Sequence, residues 1–365
     1  MIRKDPVDVY GFINAKLRAR IGMMRQDRLV ENLLKAPTLV DAVAQLRDSP
    51  YRQVAEVYDH TGDLQQMELV LLGHEIEMHR LVTRYLDGKP TALVNHLLAK
   101  IELDNLKNTI RLWYSSIVRR RAIRFRSEYL FKDQILTPIN WTALVNATSW
   151  EEMTRLLAHT PYGAVIETFT MAQIEHEGLF GLESALDRSW YMDLVAIIDT
   201  LSARDREVAR SIFLVEIDLR NLGTLVRYGR YYQMEGDAIK ALLLPWGKVV
   251  SSKESERYLA QPPAERDALA LINRFYSGLE TLDGSPHRGS VQHDEPGVLE
   301  NLKIEEYLAK RRGELYQKIL AGDPFTIGLV LSYFFLFKEE TSIIKATING
   351  KYYGYSEDYI RGVIG

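Results

Sequence analysis

Apolar residues recur three and four positions apart along almost the whole chain, and runs of strict alternation are few. The one Asn-Gly with any hairpin character is the weak INGKYYG near the end. This pattern predicts an all-α protein. In VEIDLRNLGTLVRYGR, residues 215–230, a helical wheel gathers Ile217, Leu222, Leu225 and Val226, with the preceding Leu214, into one broad stripe. Asp218 and Asn221 fall inside that stripe, while Arg220 and Arg227 lie opposite it. An acid and an amide on an apolar face call for a reason. The anomaly recurs in IELDNLKNTIRLWY, residues 101–114, where Glu102 lies among Ile101, Leu106, Ile110 and Trp113 and Asn105 takes the amide position. It recurs again, blurred, in FKEETSIIKATINGK, residues 337–351: Glu340 falls between Leu336, Phe337, Ile344 and Ile348, with Ile343 in place of the amide.

A second landmark shows that this is a repeat. TLVDAVAQLRDSPY (residues 38–51) and SWEEMTRLLAHTPY (residues 149–162) share a Ser/Thr N-cap, an acid three residues on, then Leu and Ser/Thr-Pro-Tyr, at one offset of 111. The cap oxygen and the acid satisfy free helix donors, and the proline stops the helix before it. Asn105 and Asn221 are 116 apart, so two unrelated signals give nearly one period. A unit of that length exceeds the short solenoid repeats and reads as a small lobe of several helices. Three lobes are expected, over 1–120, 121–232 and 233–365, with seams near 119–128 and 231–238. A mobile surface loop is expected at 283–297, which is rich in Gly, Ser, Pro and His. An unpaired acid buried in a stripe costs several kcal/mol. Glu102, Asp218 and Glu340 are therefore expected to staple neighbouring helices of their own lobes. The other reading is an acid that titrates or binds a ligand.

Composition narrows the class without changing the fold. With 365 residues, 46% hydrophobic and 26% charged, the chain has the makings of two or three cores. A net charge of -3 argues against nucleic acid as the partner of the whole molecule. The absence of cysteine removes disulfides, thiolate metal sites and thiol nucleophiles. The start, MIRKDPVDVYGF, has no apolar core of signal-peptide type, so translation into the cytosol is expected. The longest strongly apolar run, residues 325–337, reaches as a helix only ~20 Å against a hydrocarbon core of ~30 Å, so it is expected in a protein core.

Catalytic chemistry finds little footing. His74 and His79 are five apart, not the four that would put two imidazoles on one helix face, and read as a solvated face. No Glu-x-x-His pair, glycine-rich phosphate loop or nucleophile elbow occurs, and neither cofactor nor metal is expected. Glu175, His176 and Glu177 read as an exposed cluster. The clearest charge feature is SSIVRRRAIRFRSEYLF, where Arg119, Arg120, Arg121, Arg124 and Arg126 crowd with Phe125, Tyr129 and Phe131. Three readings stay open for it: a solvated seam between lobes, a contact with a protein or a membrane surface, and a grip on nucleic acid, which the acidic total disfavours.

IELDNLKNTIRLWY, VEIDLRNLGTLVRYGRYY, the closing segment from GLVLSYFFLFKEETSIIK to YIRGVI and the early YGFINAKLRARIGMM together resemble the C subunit of archaeal and bacterial V/A-type ATPases, which is similar to the d subunit of eukaryotic vacuolar ATPases. The likeness spans residues 10 to about 364. It implies a three-lobed helical funnel on the cytoplasmic face of the membrane proteolipid ring, receiving the tip of the central shaft. Such a protein is a non-catalytic rotor part carrying torque between ATP turnover and proton or sodium movement, peripheral to the membrane and without nucleic acid. The alternative is a soluble helical-repeat adaptor unrelated to ATPases.

Overall fold

The computed structural model describes residues 5–26, 28–122, 126–275, 310 and 312–364; the expected loop at 283–297 lies outside them, as does Arg124. The described residues are helical with turns and contain no strand, so the chain is all-α. They form two compact units. The first joins Met1–Leu201 to Tyr333–Ser356, and the second joins Ser202–Ser332 to Glu357–Gly365.

In the first unit the central element is the helix Lys89–Ile117, which starts with proline at its first turn, where a missing N–H costs nothing. Leu64–Thr83, Trp141–Val145 and Phe180–Thr200 pack on it. Its buried face carries Leu93, Leu98, Leu103, Leu106, Ile110 and Trp113. Around it the shorter helices are capped as their sequences predict. Thr38 accepts from Asp41 N at 3.2 Å, and Ser149 accepts from Glu152 N at 3.2 Å. The return bond expected from the acid takes another form. Asp41 accepts the Thr38 hydroxyl, and Glu152 reaches Thr148 N at 2.8 Å, one residue before the cap.

The helix Gly328–Tyr352 belongs to this unit from Tyr333 onward. Tyr333, Phe334 and Phe337 are buried there, as expected for the apolar run, and so are Ile344 and Ile348 beyond it. Phe334 stacks on His79 with ring centroids 4.0 Å apart. The expectation of a solvated histidine face is therefore corrected: His79 is a core residue, only 5% exposed, donating from Nδ1 to Glu75 O at 2.8 Å. Burial pushes the imidazole down to about 4, so it is neutral at ordinary pH. The wheel failed here because an aromatic ring flattened on Phe334 buries as well as an aliphatic side chain does.

The second unit is built on Ala203–Val226. Leu219, Leu222, Leu225 and Val226 meet Ile239, Leu243, Val249, Tyr258, Leu271 and Ile272 in one apolar cluster. The helix runs on into a π-helical turn, Arg227–Tyr231. Gly229 is required in that turn, since a Cβ there would lie 2.8 Å from the Tyr258 ring. Arg266, 2% exposed, donates to the carbonyls of Gly229, Met234, Leu259 and Gln261 and so satisfies the free acceptors where these segments end.

Candidate functional site: the repeated carboxylate staples

The anomalous acids of the repeat each accept hydrogen bonds from chain distant in sequence. Glu102 is fully buried on the Lys89–Ile117 helix and accepts three hydrogen bonds, from Leu136 N at 2.8 Å, Thr137 N at 2.6 Å and the Tyr162 hydroxyl at 3.0 Å. One turn on, Asn105 donates to Phe131 O at 2.9 Å. A carboxylate with three donors offsets much of its desolvation, and in return it pins an irregular strap of chain to the helix. Burial and then the Glu102 charge push the Tyr162 phenol far up, so the hydroxyl stays a donor.

The second copy repeats the geometry at nearly the same distances along the chain. Asp218, 5% exposed, accepts from Val249 N at 2.9 Å and from Lys248 N. Asn221 donates to Leu244 O at 3.0 Å and Trp246 O at 3.3 Å, and accepts from Leu244 N at 2.8 Å. Gly247 makes the approach possible: its φ is +92°, and a Cβ there would collide with the Asp218 carboxylate. Burial raises the Asp218 carboxyl above its ordinary value, with the two backbone donors opposing the shift. In the third copy Glu340 is half-buried and accepts from the Tyr51 hydroxyl.

The partners were not where the expected lobe boundaries put them. Glu102 in 1–120 finds its donors at 136, 137 and 162; Asp218 in 121–232 finds them at 248 and 249; and Glu340 in 233–365 finds Tyr51. Each acid reaches one repeat onward, and the last reaches the first. The tyrosines that do this are the ones that close the Ser/Thr-Pro-Tyr landmark, so their position was legible while their task was not. A third landmark was also there to be found. Ser252 lies 103 after Ser149 and accepts from Ser255 N at 3.0 Å, its helix runs Lys253–Ala260, and the position thirteen past the cap is Glu265 in place of tyrosine.

The arginine segment is brought together only in part. Arg119, Arg120 and Arg121 are exposed where the Lys89–Ile117 helix ends. Arg119 donates to the Tyr114 hydroxyl at 3.3 Å, with its guanidinium 5.5 Å from the ring centroid. Arg120 adopts φ +51°, and Arg121 N donates to Ser115 O at 2.9 Å. No carboxylate pairs with these three among the described residues. Arg126 opens the short 3-10 turn Arg126–Tyr129. Of the segment's aromatic residues, Tyr129 donates to Asp63 at 2.8 Å and the Phe131 carbonyl accepts from Asn105, while Phe125 lies outside the described residues. Glu175, His176 and Glu177 are exposed, and no group of three or more metal-ligating side chains occurs among the described residues.

All three staples lie within a stretch that matches one protein family almost end to end. Residues 13–363 match the family described as ATP synthase (C/AC39) subunit. The chain belongs to that family. It is similar to the C subunit of the A-type ATP synthase of Methanocaldococcus jannaschii, 20% identical with 100% of this chain and 88% of the relative covered. The corresponding A-type ATP synthase protein of Pyrococcus horikoshii is 20% identical, with coverage of 92% and 85%. That of Methanosarcina mazei is 19% identical, with coverage of 83% and 81%. Membership of the family makes the chain an accessory, non-catalytic part of an ATP synthase complex and removes the adaptor unrelated to ATPases. Among the described residues no helix is long and apolar enough to cross a membrane.

Proposed function

We propose that this chain links the central shaft of a V/A-type rotary ATPase to its membrane proteolipid ring and passes torque between them for proton or sodium transport. The observation that carries the reading is the family match over residues 13–363, joined to relatives named as the C subunit of A-type ATP synthases. In this reading the three repeats, 1–120, 121–232 and 233–365, are lobes of a funnel on the cytoplasmic face of the membrane. The staple geometry supports it, because a part that transmits torque must resist shear where one repeat joins the next. Buried carboxylates bound to backbone N–H groups of an adjoining strap supply directional resistance, which apolar packing alone does not. Arg119, Arg120 and Arg121 are the proposed contact with the membrane sector.

The test is to tag the chain, solubilise membranes in mild detergent, and identify what copurifies while ATP-driven ion pumping is assayed with and without it. Recovery of a proteolipid ring and shaft proteins is expected, with ATP hydrolysis uncoupled from pumping when the chain is missing. Recovery of the chain free of membrane partners, with pumping unchanged, overturns the reading.

A further inference from the structure

The order in which the staples pair leaves one of them incomplete. The first acid, Glu102, holds the tyrosine of the second landmark, Tyr162, and the third acid, Glu340, holds that of the first, Tyr51. By the same order Asp218 should take a tyrosine from the third landmark, thirteen residues past its cap, and there the chain has Glu265. The nearby Tyr258 does not replace it, since its hydroxyl donates to Leu225 O at 3.3 Å. Asp218 is also one methylene shorter than Glu102, and it is met by the backbone alone, at Lys248 and Val249. Asn221 grips 244–246 through three bonds, so any loosening is confined to the chain from Gly247 onward.

We propose that the Asp218 staple is the weaker of the two that hold a strap, so that residues 247–252 lift from the Ala203–Val226 helix more readily than residues 136–137 lift from the Lys89–Ile117 helix. A side-chain hydroxyl bound to a buried carboxylate is the difference between the two sites. The raised Asp218 carboxyl agrees with a carboxylate that has too few donors for its burial. The inference concerns the stability of the chain itself and does not rest on the rotor reading, so either can fail without the other.

Native-state amide exchange on the intact chain tests it. After correction for intrinsic rates, the Val249 amide should exchange about tenfold to a hundredfold faster than those of Leu136 and Thr137, the range expected for one hydrogen bond to a charged group. Tyr162→Phe removes only the hydroxyl and should bring Leu136 and Thr137 down by a similar factor while leaving Val249 unchanged. Equal protection of Val249 and Thr137 in the natural sequence overturns the proposal, as does a Tyr162→Phe variant whose Thr137 amide is as protected as before.

Discussion

Asp218 shows what one buried acid does in this fold. Its carboxylate accepts from the buried Val249 N, so Asp218→Leu removes a charge and also strands that donor. A loss of about 1 to 3 kcal/mol in urea denaturation is expected, and unchanged stability would contradict the staple. His79 carries a different dependence. Its pKa falls from 6.5 to about 4 on folding, because burial against Phe334 disfavours the imidazolium, with Lys338 adding to the shift and the bond to Glu75 O opposing it. A depressed folded value means the contribution is present above 6.5 and is lost as pH falls toward 4. The size is on the order of 3 kcal/mol by linkage. Acid titration of unfolding followed by circular dichroism should show a shallower loss of stability in that window for His79→Phe. The acid among apolar residues could be read from the wheel, but the partner of His79 lies 255 residues away, and no local pattern encodes such a contact.

At the scale of elements, the repeat consists of a long helix and the strap that its acid and amide hold. The helices came from the 3.6-residue period and their starts from Thr38 and Ser149, because capping is a contact between near neighbours. The straps carry no period, so their course depends on which carbonyls and N–H groups the helix presents. Gly247 is the element-level residue on which the second strap turns. Gly247→Ala meets both an unfavourable φ and a Cβ driven into the Asp218 carboxylate. It should destabilise by about 2 to 4 kcal/mol, and calorimetry should place its unfolding well below that of Gly223→Ala, whose added Cβ meets nothing within 4 Å. The π-helical turn was equally silent in the sequence, because it is held by Arg266 from a separate segment and by the glycine that admits Tyr258.

For the whole molecule, the chain divides by compactness into two units, while by repetition it reads as three stretches. The proposed ring contact belongs to this scale. Arg119, Arg120 and Arg121 are exposed and carry no carboxylate among the described residues, so charge reversal to Glu should weaken association with the membrane sector. The effect should shrink as salt rises, because exposed charges are screened over about 8 to 10 Å; binding unaltered across salt concentrations returns the segment to a solvated helix end. What the sequence by itself determined is the all-α class, the repeated acids and amides, the capped helix starts and the likeness to the family. All of these follow from local spacing or from the order of motifs. Only the tertiary structure decided that each acid serves the repeat after its own, that Glu340 returns to Tyr51, that His79 is core and that Asp218 lacks a hydroxyl donor. The reason is physical: period and capping are set by residues within a turn or two, whereas satisfying a buried charge depends on whichever distant donors the packed chain brings within about 3 Å.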